Sequence, residues 1–220
     1  MYKHRIQPWT LMAAAFAATF ASVPAAAQMA GRVGNVVDEA YIERGTQRIR
    51  MERRATVRAG DSLVTGPRGT ALLQMDDDAV LALQPNTTFK IDEFVAPENR
   101  EDQAGRAFFS LLRGGFRTVT GLVGKLKRES YQVTTPVATL GVLGTEYMTV
   151  LCKQSCFDSE DGSPMPDGLY TYVVVGAVVM TNKGGSVRVG DGMTGYAAAS
   201  NSAPVIIQKT PRFLIQAGVE

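Results

Sequence analysis

Histidine and tryptophan are nearly absent from this 220-residue chain: one of each occurs, His4 and Trp9, both close to the N-terminus. Without imidazole, the remainder has no general base for Ser-His or Cys-His nucleophilic catalysis. Without indole, it lacks the best stacking platform for sugar rings. Cysteine is scarce too, with only Cys152 and Cys156. Long hydrophobic runs are missing. The apolar run from Leu11 to Phe20 is about ten residues long, whereas a membrane-crossing helix needs roughly 20, and no second run of that length follows. Almost no window carries apolar residues at helical spacing.

The N-terminus has the pattern of a secretory signal peptide: Lys3 and Arg5, the apolar run, then Val23-Pro24-Ala25-Ala26-Ala27-Gln28. Cleavage is expected after Ala27, with retention as an anchor as the alternative. Taking 27 residues from 220 leaves 193, enough for one domain over 28–220. The cut removes two of 23 basic residues and none of the 21 acidic ones, leaving 21 of each. The formal charge of +2 thus belongs to the leader, and no nucleic-acid partner is expected. The mature chain is expected in the periplasm or secreted, with no transmembrane helix. In an oxidising compartment, Cys152 and Cys156 read first as a disulfide. Its short loop limits the entropic stabilisation to about 2 kcal/mol. A thiolate metal site would need two further ligands, drawn from carboxylates.

Short β-type runs separated by turn residues recur along the mature chain, so the expected fold is all-β, a compact β-roll or β-sandwich-like domain of many short strands. Ala71-Leu72-Leu73-Gln74-Met75 and Phe89-Lys90-Ile91-Asp92-Glu93-Phe94 alternate most clearly. Asp76-Asp77-Asp78-Ala79, Pro85-Asn86-Thr87 and Asn182-Lys183-Gly184-Gly185 read as turns. The apolar stretch 173–180 is either buried on both faces or bent at Gly176. Residues 97–105 and 157–168 read as surface loops, and 121–128 as a short helical turn or a flap. In YQVTTPVATLGVLGTEYMTV (131–150), Pro136, Gly141 and Gly144 are expected to turn the chain at a crowded corner between strands at 131–135 and 146–151.

Several of these pieces, in this order, resemble the FecR domain family. They are Gly60-Asp61-Ser62-Leu63-Val64-Thr65, Gly69-Thr70-Ala71-Leu72-Leu73-Gln74-Met75-Asp76, and Leu81 to Phe89 with its Pro85-Asn86-Thr87 turn. Tyr131 to Ala138 followed by Gly144-Thr145-Glu146-Tyr147, and Val175 to Asn182 around Gly176, extend the likeness. It covers about residues 31–199, leaving 200–220 as a C-terminal tail. The family-motif positions with a structural role are Gly60, Asp61, Thr65, Gly69, Asp76, Thr135, Pro136, Gly144, Thr145 and Gly176. Asp78 stands where the family's hairpin carries glycine. The resemblance implies an exported sensing or interaction module. Only about ten residues precede the apolar run, so the cytoplasmic anti-sigma segment of the best-known members is not expected here.

Other constellations compete with bland readings. Asp76 to Asp78, or Asp92 with Glu93, are conceivable carboxylate pairs for glycoside chemistry, but adjacent acids in a polar turn are usually solvated. The Asp triplet lacks the glycine and distal glutamate of a helix-loop-helix calcium loop. Arg48, Arg50, Arg113 and Arg117 would make a patch for an anionic partner if the fold brings them together. Phe108, Phe109, Leu111 and Leu112, and then Leu122, Val123 and Leu126, are either core or an exposed contact surface. The expected function is a non-catalytic ligand- or protein-binding and signalling module, with no cofactor or metal and an unidentified envelope partner or ligand. The alternatives are an envelope structural or oligomerising protein and, less favoured, a carbohydrate binder.

Overall fold

The computed structural model describes residues 28–98, 104–126, 128–158 and 162–216. The segment read as an export signal lies outside the described residues, as do parts of both stretches read as surface loops. Among the described residues, no helix is long and apolar enough to cross a membrane.

The chain is all-β. Its strands are β1 (Met29–Val37), β2 (Ala40–Arg44), β3 (Gln47–Arg50), β4 (Thr56–Arg58), β5 (Ser62–Thr65), β6 (Thr70–Met75), β7 (Val80–Leu83) and β8 (Thr88–Val95). They continue with β9 (Arg106–Val119), β10 (Tyr131–Thr134), β11 (Thr139–Cys152), β12 (Gly168–Asn182), β13 (Gly185–Val189), β14 (Thr194–Ala197) and β15 (Val205–Ile207). Among the described residues, two short α-helices, α1 (Leu122–Leu126) and α2 (Arg212–Gln216), and a 3-10 turn at Arg128–Ser130 complete it.

All strands join one continuous open sheet that folds over itself into two layers. The first layer runs β4-β1-β6-β7-β9-β11-β12-β14-β15, and the second β3-β2-β5-β8-β9-β10-β11-β12-β13. The three long strands β9, β11 and β12 belong to both. In β9, residues up to Arg113 pair with β8 and β10, and those from Gly114 onward pair with β7 and β11. In β12, Leu169 to Tyr172 pair with β14, and Val178 to Asn182 pair with β13.

Each long strand changes layer at a glycine in the left-handed region: Gly114 (φ 75°), Gly144 (φ 52°) and Gly176 (φ 97°). Other L-residues resist these angles because Cβ crowds the following carbonyl oxygen. The stretch 173–180 is therefore bent, the second of its two sequence readings. The corner in 131–150 differs from expectation. β11 already starts at Thr139 and runs through the bend at Gly144. Crowding is not the reason for its glycines either. A Cβ on Gly144 would meet only the Lys125 side chain at 3.5 Å, and one on Gly141 would meet nothing within 4 Å. Gly144 is required by its φ; Gly141 lies in regular strand. Pro136 sits exposed in the tight turn that Thr135 closes, its Oγ1 accepting from Val137 N (3.1 Å) and Ala138 N (3.0 Å).

The main core fills the space between the layers. An aromatic chain crosses it: Phe109 against Phe89 at 5.2 Å, Phe89 edge-on to Phe116 at 5.0 Å, and Phe116 edge-on to Tyr147 at 5.8 Å. Phe109 and Leu111 are thus core, whereas Leu112, in the bulge opposite the start of β8, is 49% exposed. Val123, at 1% exposure, anchors α1 into the same core.

The two glycines of the corner should separate in a stability assay. We expect Gly144→Val to lower the urea midpoint by the equivalent of about 1–3 kcal/mol, and Gly141→Ala to stay within about 0.5 kcal/mol of wild type. Equal effects at both positions would refute the conformational account.

Candidate functional site: a groove between a glycine kink and a disulfide loop

A second apolar cluster lies on the outer face of the first layer. Alternation along β11 that sends Tyr147 inward sends Met148, Val150 and Cys152 outward, where Tyr170 of β12 joins them. Left bare, this would be an exposed greasy face, and two elements cover it. The first is the loop after β11, closed by the Cys152–Cys156 disulfide with Cα atoms 5.5 Å apart. It is tied down by Gln154 N donating to Asp167 Oδ1 (2.6 Å) and Met165 N donating to Cys156 O (2.9 Å). The second is α2, which buries Leu214 and sets Phe213 edge-on to Tyr170 at 5.6 Å. Residues 205–216, part of the stretch read from sequence as a tail, therefore supply both an edge strand and a cover.

Between this cover and the layer-switching kink of β9 runs a groove of about 340 Å³. Gln84, Pro85 and Asn86 form one wall, and Arg113, Gly114 and Gly115 line it alongside Val150 and Leu151 of β11. Ser155, Cys156, Phe157 and Phe213 form the other wall. Asn86 takes φ 54°, with its N–H donating to Gly66 O at 2.9 Å. Thr87 fixes this wall to the kink: its hydroxyl donates to Gly115 O (2.9 Å) and accepts from Gly115 N (3.0 Å). Its own N–H donates to Thr65 Oγ1 at 2.9 Å. A fully buried threonine so bonded leaves the turn little freedom. Phe157, by contrast, stands 54% exposed.

Among the described residues, Arg113 is the single charged side chain lining the groove, and it has no ion pair there. The four arginines expected as one patch do not converge. Arg48 and Arg50 lie on the edge strand β3, where Arg48 sits 4.1 Å over the Tyr41 ring and 4.0 Å from Glu43. The row Arg50, Tyr41, Val64, Thr88, Arg113 crosses one sheet face, so Arg50 is four strand spacings, roughly 19 Å, from Arg113. Arg117 belongs to the other half of β9 and pairs with Glu146 of β11. Periodicity shows which residues share a face of one strand; which strands stand side by side is set by long-range pairing.

The motif positions lie in the scaffold. Asp61, 1% exposed, takes a two-pronged hydrogen bond from Arg44 Nε (2.8 Å) and Nη2 (2.7 Å) and another from Arg58 N (2.8 Å). Gly60 supplies a φ of 89°. A Cβ on Gly69 would come within 2.0 Å of Glu39 O, so only glycine fits there. Thr145 Oγ1 sits 2.9 Å from both Leu143 O and Ala177 O, bracing the bends of β11 and β12. In the Asp triplet, Asp76 is exposed and Asp78 takes the left-handed φ of 68°. The buried acid is Asp77, whose burial the sequence reading of a solvated turn missed. Its carboxylate accepts from Ala79 N and Val123 N (both 3.2 Å), and its carbonyl accepts from Leu122 N (2.8 Å), tethering α1 to the hairpin. Burial raises its pKa above the usual value, against the backbone donors that lower it. Arg44 was likewise missed, 17 residues from its partner. Among the described residues, no cluster of three or more His, Cys, Asp or Glu is placed to hold a metal ion.

A double-layered β scaffold carrying a small, singly charged groove is the structural class. A family model described as FecR protein matches residues 61–161. Two crystal structures of an anti-sigma factor candidate from Parabacteroides distasonis are similar at 13% identity and TM-score 0.47, covering 69% of this chain. The alignment spans 61% of that crystallised chain's length. No curated protein matches.

Asp77 provides a pH test. Its raised folded pKa means that ionisation costs stability: the penalty is fully present above the folded pKa and vanishes as pH falls to the unfolded value near 4. The stability of wild type minus that of Asp77→Asn, from urea midpoints, should therefore rise in favour of wild type between pH 7 and pH 4. A difference that falls on acidification would show that Asp77 is held as a stabilised carboxylate.

Proposed function

We propose that this chain is an exported, non-catalytic binding and signalling module that acts by contact with an envelope partner or ligand through its FecR domain. The observation that carries this reading is the position of the groove. Every residue lining it except Phe213 falls inside the matched span 61–161. The disulfide accords with an oxidising compartment. The non-catalytic part rests on composition, since the only histidine lies in the segment read as a leader. A second reading, self-association, draws on the edge strand β15, where Val205 and Ile206 are 48% and 40% exposed.

Photo-cross-linking of the tagged domain in its own cell envelope, followed by mass spectrometry, tests the proposal. The expected result is one dominant adduct that an excess of untagged domain competes away. Turnover of an envelope component by the purified domain would overturn it. A concentration-dependent dimer in light scattering, with no heterologous adduct, would favour self-association instead.

A further inference from the structure

The groove has a chemistry that narrows its ligand, an inference that rests on the reading of the chain as a binding module. We propose that it binds the C-terminal end of a polypeptide, with Arg113 taking the terminal carboxylate and the apolar wall taking the last side chain. Four observations converge on this class.

Among the described lining residues, the charge is single and positive. Arg113 is exposed and has no ion pair among the described residues, so an anion can approach its guanidinium without displacing a partner. A carboxylate suits the planar donor fork. The apolar component is adjacent: Phe157, Phe213 and the disulfide line the same small space as the cation. A chain end carries its charge and its last side chain on one α-carbon, so both are presented within the span of one residue. An internal Asp or Glu would carry the charge on the side chain that has to enter the apolar part.

The volume of about 340 Å³ lies at the low end of the roughly 300–1,000 Å³ usual for ligand sites, which accommodates a chain end and excludes a folded surface. Finally, the groove is lined by two side-chain amides, that of Asn86 and that of Gln84, whose Nε2 already donates to Met148 Sδ at 3.6 Å while its oxygen remains an acceptor. Amides can both donate to and accept from a peptide backbone. A fatty acid has one polar end and would use neither. The rim is also preformed, since Thr87 locks the Pro85-Asn86 turn to the β9 kink and the disulfide holds the opposite loop. Preorganisation of this kind spares a weak ligand the cost of ordering its site.

Fluorescence anisotropy with the purified domain tests this. The probe is a fluorescein-labelled pentapeptide ending in phenylalanine, as the free acid and as the C-terminal amide. The acid should bind, and the amide should bind roughly tenfold more weakly, the size of one hydrogen bond to a charged group. Arg113→Gln should abolish the preference for acid over amide, and Phe157→Ala should weaken both forms. Arg188→Gln, on β13 and away from the groove, should change nothing. Circular dichroism melting of each variant separates lost binding from lost folding. Equal binding of acid and amide by wild type, or an unchanged preference in a folded Arg113→Gln variant, would overturn the assignment. So would competition by decanoate tighter than by the unlabelled peptide, which would mark a lipid site. If the envelope adduct survives in the Arg113→Gln and Phe157→Ala variants while the peptide fails to bind wild type, the module reading stands and the chain-end ligand falls.

Discussion

Three left-handed glycines let one sheet become two layers. At Gly114, Gly144 and Gly176 the long strands β9, β11 and β12 leave one layer and enter the other, and the rest of the fold hangs on that shared bend. A sheet of this many strands cannot bury both its faces while flat, whereas folded over it encloses the aromatic chain from Phe109 to Tyr147 between its halves. The bends also brace one another: a Cβ on Gly176 would lie 2.7 Å from Gly144 O, and Thr145 spans from one bent strand to the other. The domain therefore depends on a conformational permission more than on any single contact.

The groove follows from the same constraint. Because β9 kinks at Gly114, Arg113 ends one half-strand at the surface while Gly115 begins the other in the interior. The Pro85-Asn86 turn docks against that kink through Thr87, so one wall of the site is part of the fold's hinge. The other wall is an addition: a disulfide loop and a terminal helix cover the outward side chains of β11 and β12, and their edge leaves Phe157 standing in solvent.

The polar core residues make the same point on a smaller scale. Asp61, Asp77, Thr87 and Thr145 are all at or below 2% exposure, and each is bonded to backbone or to a charged partner. Among the described residues, no buried side-chain nitrogen or oxygen is left without a partner. Such groups hold turns in register because leaving any of them unpaired costs roughly 1–3 kcal/mol. Tyr131 and Tyr147, with hydroxyls 3.4 Å apart, are held protonated by burial, well above the usual phenol range.

Local chemistry was legible in the chain from the outset. Alternation in Ala71 to Met75 set a strand with one buried face, the Asp triplet and Pro85-Asn86 set turns, and two nearby cysteines set a disulfide; each depends only on neighbouring residues. Asp77 was hidden because its burial comes from α1, more than 40 positions away in sequence. Arg113 was separated from the other arginines by strand order, and the tail gained its role only when β15 met β14 and Leu214 met the outer face. The sequence by itself determined strand-forming stretches, turns and a composition with a single histidine, because propensity and residue type are local properties. Only the tertiary structure decided which strands share a layer, which acid is buried and where a cation faces aromatics, because those depend on pairings between residues far apart along the chain.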